Sequence, residues 1–232
     1  MPGQRNVQRL HRGGQKLAAV IQKKCEIETI KLGPDMDTVA RHLNLLAKPN
    51  FTIGGQYQFE IRAIKEGLPR SLLFNPVSQE GLNSVQRFIE QMNKEGFNIY
   101  VTVNPSKSSG ANVRDEDIIR IGFLFADADD RGAAEKVKSE AAFKPDAYVC
   151  TGTKPYERGH FYWQLEEPLQ IDSFGQWKQL MQSIARRHGC DPQICNPSRI
   201  MRLGGTISYP SKAKRARGYE IERTGFYDYG TS

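Results

Sequence analysis

Apolar residues recur every three or four positions in some stretches of the chain and alternate in others, and the changes of period mark the elements. Leu32-Gly33-Pro34 interrupts the leading segment. Asp35 or Asp37 then caps a predicted helix over 37–47, with Val39, Leu43 and Leu46 on one face. Tyr57, Phe59, Ile61 and Ala63 alternate with polar residues and predict a half-buried strand, followed by a short strand at 71–74. A second amphipathic helix is predicted over 78–95 through Val85, Phe88, Ile89 and Met92, then a strand at 98–105 that stops at Asn104-Pro105. Residues 106–116 are polar and rich in glycine and serine, which predicts a mobile loop. A strand at 118–126 precedes a helix over 132–142 and strands at 146–152 and 160–165. A helix over 172–188 follows, with Phe174, Trp177, Leu180, Met181 and Ile184 as its apolar positions, and a last strand lies at 218–223. Helices and strands mixed with both short and long connections predict an α+β fold with antiparallel pairs. The expected division is a basic extension, 1–33, and a domain, 34–232, made of subdomains 34–105 and 106–232.

Charge sharpens this picture. The net charge of +7 is concentrated in two windows. Residues 1–25 carry Arg5, Arg9, Arg12, Lys16, Lys23 and Lys24 without an acid, and residues 192–219 carry Arg199, Arg202, Lys212, Lys214, Arg215 and Arg217 without an acid. The rest of the chain is net acidic, and clustered positive charge on such a body marks a polyanion partner. The plain alternative for either window is a solvated tail or loop. No apolar run approaches the roughly 18 residues of a membrane span, and the basic N-terminus lacks the apolar stretch of a secretory signal. Cys25, Cys150, Cys190 and Cys195 fit no dense disulfide framework, so a reducing cytoplasm is expected. His188, Cys190 and Cys195 lie close in sequence but lack the paired spacing of a zinc site.

The chemistry gathers on three segments. In RIGFLFADADD an apolar strand ends in Asp127, Asp129 and Asp130. Asp127 and Asp129 are two apart and share a strand face; Asp130 points the other way and is placed to cap the next helix. Two like charges about 5 Å apart repel by roughly 3 kcal/mol at an effective dielectric near 20, which solvent, a helix N-terminus or a cation would offset. Hard oxygen donors suit Mg²⁺ or Mn²⁺ bound through one or two carboxylates and substrate phosphates. Asp191 is the best third acid, its alternative role being a helix-stop turn before Pro192. His160 opens a strand after a glycine-containing turn, with Thr151, Gly152 and Arg158 nearby in sequence as further phosphate contacts; the alternative for His160 is a satisfied core residue. NPSRIMRLGGT supplies Ser198, Arg199 and Arg202, the two arginines sharing a face if the turn is helical, and glycines that let backbone N–H groups approach an anion.

In order along the chain, FNIYVTVNP, IIRIGFLFADADD, TGTKPYERGHFYWQLEEP and GCDPQICNPSRIMRLGGTISYPSKAKRARGY resemble the archaeo-eukaryotic primase (AEP) superfamily, in its RepB-like branch of phage and plasmid primase-polymerases, over residues 36–223. The resemblance implies an RRM-like catalytic sheet packed with an N-terminal α/β subdomain. It implies a DNA primase or primase-polymerase, a nucleotidyltransferase that makes and extends primers in plasmid, phage or mobile-element replication. Its metal would be Mg²⁺ or Mn²⁺ in a two-metal site, its partners a single-stranded DNA template, dNTPs or NTPs and a replicative helicase module, and its setting a bacterial or phage-infected cell. The family's metal pair falls on Asp127 and Asp129, with Asp191 as third acid, and its phosphate-contacting histidine falls on His160. Its arginine loop falls on Ser198, Arg199, Arg202, Gly205, Thr206 and Lys212. Lys212, Lys214, Arg215 and Arg217 would then track the template backbone. The chain departs from the family pattern in the longer turn before His160, in Gly204 where the loop has proline, and in Ser208 where asparagine is common. Two other classes compete. A rolling-circle initiator needs two closely spaced strand histidines, and His160 has no such partner. A non-catalytic RRM-type single-strand binder would stack bases on Phe161, Tyr162 and Trp163.

Overall fold

A computed structural model describes residues 32–53, 57–140, 142–170 and 174–230; the basic extension up to residue 31 lies outside them. In chain order the elements are α1 (Met36–Ala47), β1 (Phe59–Lys65), β2 (Leu68–Phe74), α2 (Gln79–Lys94), β3 (Asn98–Thr102), β4 (Ile121–Ala128), α3 (Ala133–Ser139), β5 (Ala147–Gly152), β6 (Arg158–Leu169), α4 (Phe174–His188), β7 (Ile200–Arg202), β8 (Ile207–Ser208), α5 (Lys212–Ala216), β9 (Glu222–Arg223) and β10 (Gly225–Asp228). Asp35, not Asp37, caps α1, accepting the Thr38 N–H at 3.3 Å, and Ser78 caps α2 on the Gly81 N–H at 3.2 Å.

Two four-stranded antiparallel sheets result, ordered β2-β1-β3-β7 and β10-β5-β6-β4, with β8 and β9 as a small ribbon. The expected α+β architecture with antiparallel sheets is therefore observed. The sheets divide the sequence near residue 105 except at β7, which returns to pair with β3 (Tyr100 opposite Arg202). α2 packs Val85, Ile89 and Met92 onto the first sheet. α4 packs Trp177, Met181 and Ile184 against β4, while Leu180, counted with that face, is 47% exposed. From Pro34 onward the described residues form one compact unit. Among the described residues no helix is long and apolar enough to cross a membrane.

β4 positions the carboxylates, and its local chemistry explains how. It is an edge strand, so one side of its backbone lacks a ladder partner. α4 supplies the missing groups: the Trp177 indole Nε1 donates to the Phe123 carbonyl at 3.2 Å, and the Phe125 N–H donates to the Met181 sulfur at 3.2 Å. The apolar run from Ile121 to Ala126 is buried between that helix and β6, and Asp127 and Asp129 emerge where burial ends.

Several expectations differ. The last strand, expected over 218–223, is only Glu222–Arg223, and β10 follows it. Asp130 does not cap the following helix; Gly132, in the left-handed region at φ +82°, occupies that position, and Asp130 contributes its backbone carbonyl to the Ala133 N–H. That helix ends at Ser139 rather than 142. The 106–116 segment is anchored, because the buried Glu60 carboxylate accepts the N–H groups of Asn112 (3.2 Å) and Val113 (3.0 Å) and Lys107 N–H bonds to the Asp117 carbonyl.

Candidate active site

Asp127 and His160 lie directly opposite each other across the β4–β6 ladder. Cross-strand neighbours in an antiparallel pair share a face, and this pairing brings His160 Nε2 to 3.6 Å from Asp127 Oδ1. The other imidazole nitrogen, Nδ1, accepts the backbone N–H of Arg202 at 3.1 Å. That bond fixes the neutral tautomer with its proton on Nε2, aimed at the carboxylate. Burial, reinforced by the positive charge of Arg202, holds the His160 pKa well below 6.5. His160 is thus a neutral N–H donor. Asp127 is pushed the other way, up to about 6, by burial first and the Asp129 charge second, against the pull of Arg199 and Lys214.

Asp127, Asp129, Thr151, Arg158, His160, Arg199, Arg202 and Lys214 all line one cavity of about 380 Å³. A volume of that size suits a small ligand. Arg202 arrives on β7 and Arg199 on the residue before it, so the two are carried by a strand and not by a helical turn. Arg199 Nε and Arg202 Nη1 are buried and have no hydrogen-bond partner, and the Arg202 guanidinium lies over the Tyr100 ring at 4.4 Å. Buried donors of this kind carry a desolvation penalty until an acceptor arrives. Asp129 sits between two cations, with Lys214 Nζ at 3.3 Å from Oδ2 and Arg158 Nε at 3.6 Å from Oδ1. The Arg158 side chain is only 6% exposed and is already engaged: it bonds the Lys154 and Tyr156 carbonyls, stacks on Tyr219 at 4.2 Å and approaches Glu222 at 3.8 Å. It is a buried brace for Asp129 more than a free phosphate contact.

Other predicted residues stand elsewhere. Gly152 is outside the cavity; a Cβ there would lie 2.1 Å from Arg158 Nη2, so glycine is needed for the guanidinium to approach. Ser198 is turned to Asp115, whose Oδ1 accepts both its hydroxyl (2.7 Å) and its N–H (2.9 Å). Asp191 is exposed and closes its own turn, accepting the Gln193 N–H at 2.8 Å; its charge still raises the Asp127 pKa. Lys212 and Arg215 line a neighbouring cavity of about 310 Å³, and Arg217 stacks on Tyr219 at 5.4 Å. Among the described residues no three His, Cys, Asp or Glu side chains cluster closely enough to hold a metal between them, the His188–Cys190–Cys195 stretch included. Phe161, Tyr162 and Trp163 are at most 4% exposed and offer no ring for base stacking. The sequence pattern passed over Tyr100 and Tyr219. Tyr100 was legible in principle, since it is the half-exposed position between buried Ile99 and Val101 on β3.

No protein-family model matches the chain, and no curated protein matches it. Solved structures share the fold of this chain. The AEP domain of the cyanophage S-2L primase-polymerase is similar over 86% of this chain and 93% of that one, with a TM-score of 0.58 and 22% identity. A crystal structure of primase RepB′ is similar over 84% of this chain and 58% of that one, with a TM-score of 0.54 and 15% identity. The resemblance read from the order of the motifs is borne out at the level of the fold.

Proposed function

We propose that the protein is a primase-polymerase, a metal-dependent nucleotidyltransferase that makes and extends primers on single-stranded DNA. The observation that carries this reading is the convergence of Asp127, Asp129, His160, Arg199 and Arg202 on one cavity, with two buried arginine nitrogens left without partners. The fold shared with primase structures supports it.

Asp127 and Asp129 present hard oxygen donors and a mutual repulsion that a divalent cation would relieve, so they fit Mg²⁺ or Mn²⁺. When bound there, the metal supplies activation of a 3′-hydroxyl and neutralisation of a triphosphate. The chain's own groups do the rest. Arg199 and Arg202 bind the β- and γ-phosphates through the donors now unpaired and hold them as charge shifts toward the leaving pyrophosphate. His160 donates its Nε2 proton in a hydrogen bond to a phosphate oxygen without adding positive charge. Lys214, which lines the nucleotide cavity, belongs with these groups and not with the template contacts expected for it. Arg158, packed on Tyr219, keeps Asp129 in place.

Lys212 and Arg215 remain for the template. Their cavity shares Asn98, Tyr209, Pro210 and Ser211 with the nucleotide cavity, so a strand lying there would run beside the incoming nucleotide. The Lys212→Ala/Arg215→Ala double variant is expected to weaken single-stranded DNA binding and to reduce the slope of log K against log salt by about 1.4 for two lost phosphate contacts. Its KM for nucleotide should stay near wild type. Titrating DNA at three salt concentrations measures both the affinity and the slope.

The function is tested by incubating the protein with labelled dNTPs or NTPs, a single-stranded template and Mg²⁺ or Mn²⁺. New short products that disappear with chelator are expected. Template binding with no product under any of these conditions would favour the non-catalytic binder and overturn the enzyme.

A further inference from the structure

His42 lies in α1 with no exposed surface. Its ring stacks on Phe226 (centroids 4.9 Å apart) and meets Tyr162 edge-on at 5.4 Å. Its Nδ1 accepts the backbone N–H of Gly204 at 3.1 Å. Two residues earlier on the same segment, the Arg202 N–H donates to His160 Nδ1 at the same distance. The chain leaving β7 is thus held by two imidazoles at alternate residues. Both rings act as acceptors, and burial keeps His42 neutral, its pKa lowered to about 3.

Position 204 is where the resembling motif carries proline. Proline has no N–H to donate, and a Cβ at 204 would lie 2.8 Å from the Phe226 Cβ. Glycine here makes room for the Phe226 side chain and supplies the N–H whose hydrogen bond His42 accepts. The hydrogen bond between His42 and Gly204 spans 162 positions of sequence.

We propose that His42 is a positioning residue for the nucleotide site. By holding the Gly204 N–H it fixes the exit of β7, and so the direction in which Arg202, backed by Tyr100, faces the cavity. This role rests on the nucleotidyl-transfer reading above, and the test separates the two. His42→Asn places an amide oxygen near the position of Nδ1 and keeps the acceptor. His42→Leu keeps apolar bulk and loses it; should the leucine variant not fold, His42→Gln, whose oxygen falls near the Nε2 position instead, takes its place.

The variant without the acceptor is expected to raise the KM for the incoming nucleotide about tenfold, with kcat within about threefold of wild type. It should also speed amide hydrogen exchange at Gly204 by about tenfold. His42→Asn should stay within about threefold of wild type in all three measurements. Equal behaviour of the asparagine and acceptor-less variants, or an unchanged KM in a folded acceptor-less variant, overturns the proposal. A wild-type protein that incorporates no nucleotide overturns the functional reading and the role given to Arg202. Gly204 exchange that ignores the acceptor overturns the pin itself, so the two failures are told apart.

Discussion

Asp127→Asn is expected to abolish nucleotide incorporation, by about 10³-fold or more, and at the same time to stabilise the metal-free protein at pH 7.5. Both effects follow from one placement. The Asp127 carboxylate is half-buried at the end of β4 beside Asp129, and its pKa rises from 3.8 to about 6. A carboxyl group whose folded pKa exceeds its unfolded value gives its stabilising contribution at low pH, where it is protonated in both states. That contribution fades as pH climbs from about 4 through about 6. The full shift corresponds to roughly 3 kcal/mol, and partial exposure of the side chain, at 24%, reduces what is recovered to about 2. Asparagine removes the charge and the penalty. Urea unfolding in the presence of chelator should therefore show the variant equal to wild type near pH 4 and more stable by about 2 kcal/mol at pH 7.5. Mg²⁺ or Mn²⁺ should stabilise wild type but not the variant, since a ligand that binds only the folded state adds RT ln(1 + [L]/Kd). Incorporation at the wild-type rate, or a stability difference that does not grow with pH, would remove Asp127 from the centre of the site.

The parts of this site that local sequence made legible are those fixed by local rules. The apolar run before Asp127 marks a buried strand with carboxylates at its mouth, and β4 behaves so. His160 lies on a buried strand after a turn, although that strand opens two residues earlier, at Arg158. The arginine segment was recognisable by charge and glycine, but its conformation was not. β7 is three residues long and exists because β3 offers it a ladder, and nothing in Ile200–Arg202 alone specifies a partner about 100 residues earlier. α5 and β10 are likewise too short for a periodic signal. Asp191 was attractive as an acid near the arginines, yet an Asx turn of its own satisfies it. Lys214 and Lys212 are two apart and look alike in sequence; the turn of α5 sends one to the cavity of Asp127 and His160 and the other to its neighbour. The glycine- and serine-rich segment after Pro105 was read as mobile because composition reports the segment and not its anchor, and Glu60 lies 52 residues upstream of the amide it holds.

That anchor carries the largest expected effect on stability. Glu60→Ala should destabilise the protein by about 3–5 kcal/mol, the range found when one partner of a buried ion pair is removed. Glu60 is fully buried. Burial works to raise its pKa, but the hydrogen bonds of Arg62, Ser71 and the Val113 N–H outweigh it and hold the carboxyl below its usual range. Arg62 grips both oxygens at 2.9 and 2.6 Å, Ser71 donates at 2.5 Å, and the N–H groups of Asn112 and Val113 complete the set. A carboxyl stabilised in this sense contributes above the ordinary glutamate range and loses its contribution as pH falls below it, so the difference between Glu60→Ala and wild type should narrow in acid. The consequence reaches the site. Glu60 holds Val113, two residues later Asp115 holds Ser198, and Ser198 precedes Arg199. A Glu60→Ala protein that remains folded at low temperature should accordingly bind nucleotide more weakly than its loss of stability alone explains. A Glu60→Leu/Arg62→Leu double variant, which removes the charge from both partners, should recover part of the stability without recovering the anchored loop or the nucleotide affinity. Urea unfolding of the three proteins, set beside nucleotide binding for each, tests the chain of contacts. A loss below about 1 kcal/mol for Glu60→Ala, or full nucleotide affinity in the double variant, would show that the loop and Arg199 are held by something other than this carboxylate.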